Sequence, residues 1–232
     1  MRPSLFVTGT DTGVGKTLVS TLLLHGLRAH GLEVVGMKPV ASGCEHNGVI
    51  WCNEDALALQ RASTPPLPSY ELVNPFALPE PTAPEIAAAM AGMQLDLVEI
   101  EHAYRVLAGN GRQVVVEGVG GWLAPLAAGV DQSDLLRRID APPVLIVVGL
   151  RLGCISHARL TERAVESDGF RVVGWVGSAV DPALPHPEQT VAALQRELSA
   201  PCLGVVPHLR QPTGAERHLD VDAVVAALRA GA

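Results

Sequence analysis

The stretch from Leu5 to Thr17, LFVTGTDTGVGKT, constrains this chain more than any other. A short apolar run, Leu5 to Val7, enters a loop with three glycines, and an apolar helical pattern begins at Leu18 just after Lys16 and Thr17. The order is strand, phosphate loop, helix. Glycine is needed where backbone N–H groups turn inward and approach phosphate oxygens closely. The helix that follows aims its N-terminus, with its positive partial charge, at the same place. Lys16 is placed to neutralise β- and γ-phosphates and the Thr17 hydroxyl to ligate Mg²⁺. The usual pattern is G-x-x-x-x-G-K-[ST]. Counted back from Gly15, its first glycine falls on Thr10, and the glycine present is one residue earlier, at Gly9.

The rest of the chain continues as α/β. Of its 232 residues 48% are apolar and only 3% aromatic, so a sizeable core must be built from Val, Leu, Ala and Ile. The pattern predicts a helix over 18–30 capped by Gly31, a strand over 33–38, a loop over 44–53 and a helix over 56–62 opened by Asn53, Glu54 and Asp55. Residues 63–84 hold seven of the eighteen prolines. That excludes a helix or central strand, and Tyr70, Leu72, Val73 and Phe76 read as anchors of an ordered excursion. Helices are expected over 84–91 and 95–108. Strands follow over 113–117, 142–149, 170–176 and 202–206, with helices up to Glu166, over 188–198 and over 219–230. This alternation predicts one α/β domain over residues 1–232, with a mostly parallel sheet covered by helices on both faces.

The 24 acidic and 17 basic residues give a net charge of −7. That balance argues against a nucleic-acid or anionic-membrane surface and suits a small-molecule enzyme. Cys44, Cys52, Cys154 and Cys202 form no C-x-x-C pair, and reduced thiols in a cytoplasmic protein are the expectation. The first apolar run breaks at Thr8, so no signal peptide is read, and the run from Pro142 to Leu150 is too short to span a bilayer. His25 and His30 are five apart, the wrong spacing for two ligands on one helical face, and read as surface residues.

Lys38 stands at the carboxyl end of the second strand, beside Pro39, where parallel sheets bind ligands. Position alone leaves a catalytic lysine and a solvated loop lysine equally open. Ser42, in Ser42-Gly43, is ordinary turn chemistry. Asp55, in a first helical turn, reads as a dipole complement before it reads as a metal ligand. Glu117 ends a β-branched strand and is followed by Gly118-Val119-Gly120-Gly121. A carboxylate there is what the second metal-binding element of a phosphate-loop enzyme requires.

Four segments occur together and in order: Gly9 to Thr17, Lys38 to Gly43 (KPVASG), Val116 to Trp122 (VEGVGGW) and Leu152 to His157 (LGCISH). This set resembles dethiobiotin synthetase over residues 4 to 210, and relatives share the shifted glycine. The resemblance implies a single-domain phosphate-loop NTPase fold and an ATP-dependent ring closure of 7,8-diaminononanoate with CO₂, through a carbamate and a carbamic–phosphoric anhydride, in a homodimer with substrate at the interface. It implies nucleotide contacts from Thr12, Gly13, Val14, Gly15, Lys16, Thr17 and Leu18, from Gly118, Val119 and Gly120, and from Ser178, Ala179, Pro207, His208 and Leu209. It promotes Asp55 to a Mg²⁺ ligand beside Thr17 and Glu117. It gives Lys38 the carbamate and the transferring phosphoryl group. Ser42, Pro81 and Thr82 fall to the substrate groove, and the backbone of Gly153, Cys154 and Ile155, from the partner subunit, to the substrate's distal carboxylate.

Departures from the family pattern are informative. Gly13 stands where glutamate is common, Ser156 where asparagine is common, and Glu85 where histidine is common. Ser178-Ala179 replaces an Asn-Asp pair that reads adenine, and a hydroxyl cannot make a bidentate amide contact. Weaker discrimination among nucleobases is therefore expected. A partitioning or site-selection ATPase is the competing reading, but such proteins carry an additional lysine early in the loop, and Thr8 to Asp11 has none. A cobyrinate-type amidating ligase needs a glutamine-hydrolysing domain, for which the chain has no room.

Overall fold

The computed structural model describes residues 4–208 and 214–229. In chain order the elements are β1 Leu5–Gly9, α1 Lys16–Ala29, β2 Val34–Met37, β3 Val40–Ser42, β4 Glu45–His46, β5 Trp51–Cys52, α2 Glu54–Ala62, α3 Tyr70–Val73, β6 Phe76–Leu78, α4 Pro84–Met90, α5 Leu97–Leu107, β7 Gln113–Gly121, α6 Gln132–Arg138, β8 Val144–Gly149, α7 Cys154–Ser167, β9 Val172–Ser178, α8 Pro187–Glu197, β10 Cys202–Val206 and α9 Val221–Arg229.

Six strands form one sheet in the order β10-β9-β8-β1-β7-β2, and every pairing in it is parallel. The strands are apolar runs because both faces are covered. Successive side chains of β1 serve opposite faces: Phe6 packs with α5, α6, α7 and α8, while Leu5 and Val7 pack with α1 and α9. The chain builds β2 and β7 on one side of β1, then crosses to β8, β9 and β10 on the other. β1 is thus the switch point where the crossover direction reverses, and its carboxyl end opens the crevice in which such sheets bind ligands. No helix among the described residues is long and apolar enough to cross a membrane.

Several expectations change in detail. α1 begins at Lys16, two residues before its apolar stripe, so the lysine and Thr17 belong to the helix. The proline-rich excursion contains a helical turn, α3, and a strand, β6, which pairs in parallel with β3 outside the main sheet. Tyr70, Val73 and Phe76 are buried as anchors and Leu72 packs against the core from a partly exposed position. The expected loop 44–53 folds into a two-residue hairpin of β4 and β5. The glycines after Glu117 continue strand β7, because Gly121 pairs with Gly9 of β1. Helix α6 was not expected. Its seven residues are opened by a capping box between Asp131 and Asp134, with Leu135 and Leu136 buried. His25 and His30 are exposed as expected. The C-terminal helix is described only over 221–229, and residues 209–213, including Leu209, lie outside the described residues.

Candidate active site

The phosphate loop leaves the end of β1 and turns back into α1. The glycine at position 9 answers the apparent misfit of the motif. A Cβ there would lie 2.7 Å from the Val14 side chain and 3.1 Å from Lys16 Nζ, so the loop can close over this residue only if it is glycine. Gly15, at the helix N-cap, takes a left-handed backbone (φ 89°) that starts α1 at Lys16.

Lys16 is 7% exposed, and its Nζ donates to the carbonyls of Asp11 at 3.0 Å and Gly120 at 2.7 Å. Asp11 organises the first turn of the loop: its carboxylate accepts from the Thr12 N–H at 2.7 Å and pairs with the Arg151 guanidinium. That backbone N–H, then Arg151, hold the Asp11 carboxyl below its usual range. Burial, followed by the nearby Lys38 ammonium, pulls the pKa of Lys16 down to about 8.

Behind the loop three elements converge. Lys38 follows β2, Glu117 lies in β7 and Asp55 sits in the first turn of α2. Glu117 is fully buried, and its Oε1 accepts from Lys38 Nζ at 2.6 Å and from Thr17 Oγ1 at 2.9 Å. Lys38 Nζ also donates to the Gly118 carbonyl at 3.2 Å and lies 3.6 Å from Asp55 Oδ2. Burial alone would lower the pKa of Lys38, but Glu117 and Asp55 outweigh it, so the ammonium is held charged above its ordinary range. The second oxygen of Glu117, Oε2, is buried without a hydrogen-bond partner. A buried carboxylate oxygen with no donor is a costly feature unless a cation or ligand uses it.

One cavity of about 530 Å³ collects nine of the residues expected from sequence. Thr12, Lys16, Val119 and Gly120 line one side of it, Ser42, Pro81 and Thr82 the other, with Lys38 and Asp55 between them. The excursion thus meets the phosphate loop across Lys38. Gly153, Cys154 and Ile155 open α7 and line a different cavity of about 540 Å³, with Arg151, Arg159 and Leu184. They do not meet Lys38 within this chain. Ser178 is buried beneath the phosphate loop, where a Cβ on Gly15 would stand 2.5 Å from its Oγ. The Ala179 N–H donates to the Val206 carbonyl at 2.9 Å, and His208 Nδ1 lies 3.2 Å from the Ala179 carbonyl. The 178–179 segment therefore meets Pro207-His208 at the far end of the loop, with its hydroxyl turned away from solvent.

Gln132 was missed by the sequence reading. It is buried, and its amide Nε2 reaches the carbonyls of Val119 at 3.2 Å, Gly121 at 2.6 Å and Trp122 at 3.2 Å. It clamps the strand end that offers Gly120 to Lys16. The only available signal was a lone Asp-Gln-Ser-Asp turn, which names no partner. Arg151 was missed because its carboxylate partner lies 140 residues away.

A family model described as an AAA domain matches residues 3–216. The chain is 55% identical over 206 residues to the ATP-dependent dethiobiotin synthetase BioD of Xanthomonas euvesicatoria, covering 89% of this chain and 91% of that protein. It is 51% identical over 206 residues to the protein of the same name from Xylella fastidiosa, covering 89% and 90%. Among solved structures, the MinC:MinD cell division complex of Aquifex aeolicus is similar at a TM-score of 0.54 and 14% identity, covering 98% of this chain and 95% of that one. Chloroplast FtsY from Physcomitrella patens gives 0.53 at 17% identity, and this chain spans 65% of its length. At such identities these structures show the fold alone.

Proposed function

This chain belongs to the ATP-dependent dethiobiotin synthetase family, and from that premise we propose how its own residues carry the reaction. The enzyme is an ATP-dependent ligase that converts 7,8-diaminononanoate, CO₂ and ATP into dethiobiotin, ADP and phosphate. One amine captures CO₂ as a carbamate and releases a proton. A carbamate oxygen attacks the γ-phosphorus, and ADP leaves. The second amine then attacks the carbonyl of the carbamic–phosphoric anhydride and loses a proton, closing the urea ring and expelling phosphate. No covalent bond to the protein forms, so the residues act by positioning and by charge.

Lys38 is the residue on which this assignment rests. Its buried ammonium, held by Glu117, faces the cavity that phosphate loop and excursion share. There it neutralises the carbamate and the phosphoryl group in transit. Lys16 holds the β- and γ-phosphates, exchanging two carbonyl partners for phosphate oxygens. The N–H groups of Thr12 to Leu18 receive the remaining oxygens, and Gly118 to Gly120 flank the nucleotide. Ser42, Pro81 and Thr82 hold the diamine end of the substrate.

A divalent cation fits the donor set. Thr17, Asp55 and Glu117 offer hard oxygens, and Glu117 Oε2 is a buried acceptor without a donor. No group of three His, Cys, Asp or Glu among the described residues could hold a metal, so the proposed site depends on the Thr17 hydroxyl and the nucleotide's own phosphates. Bound there, Mg²⁺ supplies charge neutralisation at the phosphates.

The separation of the two cavities supports a homodimer in which Gly153, Cys154 and Ile155 of the partner subunit receive the substrate carboxylate. Leu152 and Leu160, 94% and 61% exposed beside that cavity, are the apolar surface a second copy would cover. We assign the enzyme to the cytoplasm, acting as one domain over residues 1–232 without nucleic acid or membrane.

Two outcomes follow. Incubation with 7,8-diaminononanoate, bicarbonate, Mg²⁺ and ATP yields dethiobiotin by mass spectrometry. ATP hydrolysis that ignores the diamine and makes no urea product would instead signify a switch ATPase. Turnover with GTP and CTP falls short of ATP by less than about a hundredfold, because the buried Ser178 and the partly exposed Ala179 offer no side-chain amide to the base. A larger preference for ATP refutes that reading.

The depressed pKa of Lys16 sets a pH dependence. In the free enzyme the ammonium loses its proton as pH rises through about 8. Phosphate oxygens favour the charged form and raise that pKa in the complex. ATP binding therefore takes up a proton above pH 8 and weakens as pH rises further. Calorimetry at pH 9 in buffers of different ionisation enthalpy reads this directly, and buffer-independent enthalpies refute it.

A further inference from the structure

The proline-rich excursion carries a polar network that the reaction as described leaves unused. Tyr70 and Asn74 belong to it and are 8% and 3% exposed. The Tyr70 hydroxyl accepts from the Asn53 backbone N–H at 2.8 Å and donates to Asn74 Oδ1 at 2.9 Å. Asn74 Nδ2 then donates to the Lys38 carbonyl at 2.7 Å and the Phe76 carbonyl at 3.3 Å. The Lys38 N–H donates to the Val73 carbonyl at 2.8 Å. Lys38 is thus gripped on both its backbone groups by one short segment, Val73-Asn74. The other end of the network reaches Asn53, whose side chain caps α2 by accepting from Asp55 N at 3.0 Å and Ala56 N at 3.3 Å. Its amide also reaches the Ser42 carbonyl at 3.5 Å.

Each group in the network uses its capacity. The phenol both donates and accepts, and Asn74 uses both amide hydrogens and its oxygen. Burial raises the Tyr70 pKa to about 12, so the hydroxyl remains a donor throughout the working range of an enzyme. Lys38 follows β2 and Asp55 lies in the first turn of α2; beside the packing of α2 on β2, the backbone at Lys38 and the cap of α2 are linked through a single tyrosine oxygen.

The geometry points to Tyr70 and Asn74 as positioning residues that set Lys38 and Asp55 relative to each other. The excursion is then the part that holds the phosphoryl-transfer lysine and the helix start carrying a metal-ligand carboxylate in one arrangement. It acts through those residues and touches no reacting atom. Such positioning is sensitive, since a displacement of about 1 Å can cost about a hundredfold in rate.

The test removes the hydroxyl and keeps the ring. In Tyr70→Phe, kcat for diamine-dependent ring closure falls about ten- to thirtyfold, while KM for ATP stays within about twofold because the phosphate loop is untouched. Mn²⁺ binding with a non-hydrolysable ATP analogue, followed by electron paramagnetic resonance, weakens at least about threefold through the loosened α2 start. The control is Tyr104→Phe, which deletes another buried hydroxyl, one that donates to Ser4 Oγ at 2.8 Å within the large core cluster. It lowers the melting temperature comparably and leaves kcat within about twofold. Asn74→Leu, which removes the donor to Lys38, loses more than Tyr70→Phe; if it does not fold, Tyr70→Phe decides alone. A Tyr70→Phe enzyme with wild-type kcat overturns the proposal, as does an equal loss in Tyr104→Phe. The inference rests on the role given to Lys38. An active Lys38→Ala enzyme overturns that role, whereas an active Tyr70→Phe enzyme beside an inactive Lys38→Ala one overturns only the positioning.

Discussion

Lys38→Ala abolishes most ring closure: kcat falls roughly 10²- to 10³-fold, the range for losing one preorganised charge donor at a developing anion. ATP still binds within about threefold, because the loop groups, Lys16 and Thr17 lie on other elements. The variant also melts earlier. Glu117 is fully buried and keeps only the Thr17 hydroxyl as a donor once the ammonium at 2.6 Å is gone. Breaking a buried pair from one side costs about 3–5 kcal/mol. Rate and stability are therefore measured separately, with kinetics well below the melting transition and bound nucleotide quantified by calorimetry. More than half the wild-type rate in folded Lys38→Ala would remove Lys38 from the mechanism. A loss of ATP affinity equal to the loss of rate would make it a nucleotide ligand instead.

What the sequence disclosed follows the range of the interactions concerned. The phosphate loop was legible because its chemistry is local: strand, glycines, lysine, hydroxyl and helix lie within thirteen consecutive residues. The buried strands were legible because parallel sheets covered on both faces leave unbroken apolar runs. Boundaries moved where a pairing partner decided them. Gly118 to Gly121 read as lying beyond a strand that ends at Glu117, yet β7 runs on to Gly121, which pairs with Gly9 of β1. Asp55 looked like a dipole complement in its own helix, and only Lys38, 17 residues earlier, reveals that it faces the cavity. Gln132 and Arg151 were invisible for the same reason, since their partners are carbonyls and a carboxylate distant in sequence. Tyr70 was read correctly as an anchor, but anchoring is only half its bonding; its hydroxyl is committed to Asn53 and Asn74.

Glu117→Gln separates the two duties that converge on one carboxylate. The amide keeps the volume at a site with no exposed surface, and its oxygen can still accept from Thr17. It removes the negative charge that, with Asp55, holds Lys38 protonated against burial. With the amide oxygen in the place of Oε1, the N–H₂ stands where Oε2 now lies unpartnered. If Glu117 ligates the cation, the Mg²⁺ concentration for half-maximal activity rises at least about tenfold, the usual cost of losing a direct or supporting metal contact. kcat at saturating Mg²⁺ falls about a hundredfold, since Lys38 loses the partner that positions its charge. If Glu117 served only to pair Lys38, the melting temperature and kcat would fall while the Mg²⁺ requirement stayed where it was. Asp55→Asn gives the complementary comparison. Its carboxylate is 46% exposed and 3.6 Å from the ammonium, so screening makes its pairing contribution small. A raised Mg²⁺ requirement with little change in melting temperature would then be a ligand effect without the pairing effect. The same Mg²⁺ shift in both variants, with a stability loss only in Glu117→Gln, is the pattern a shared metal site produces.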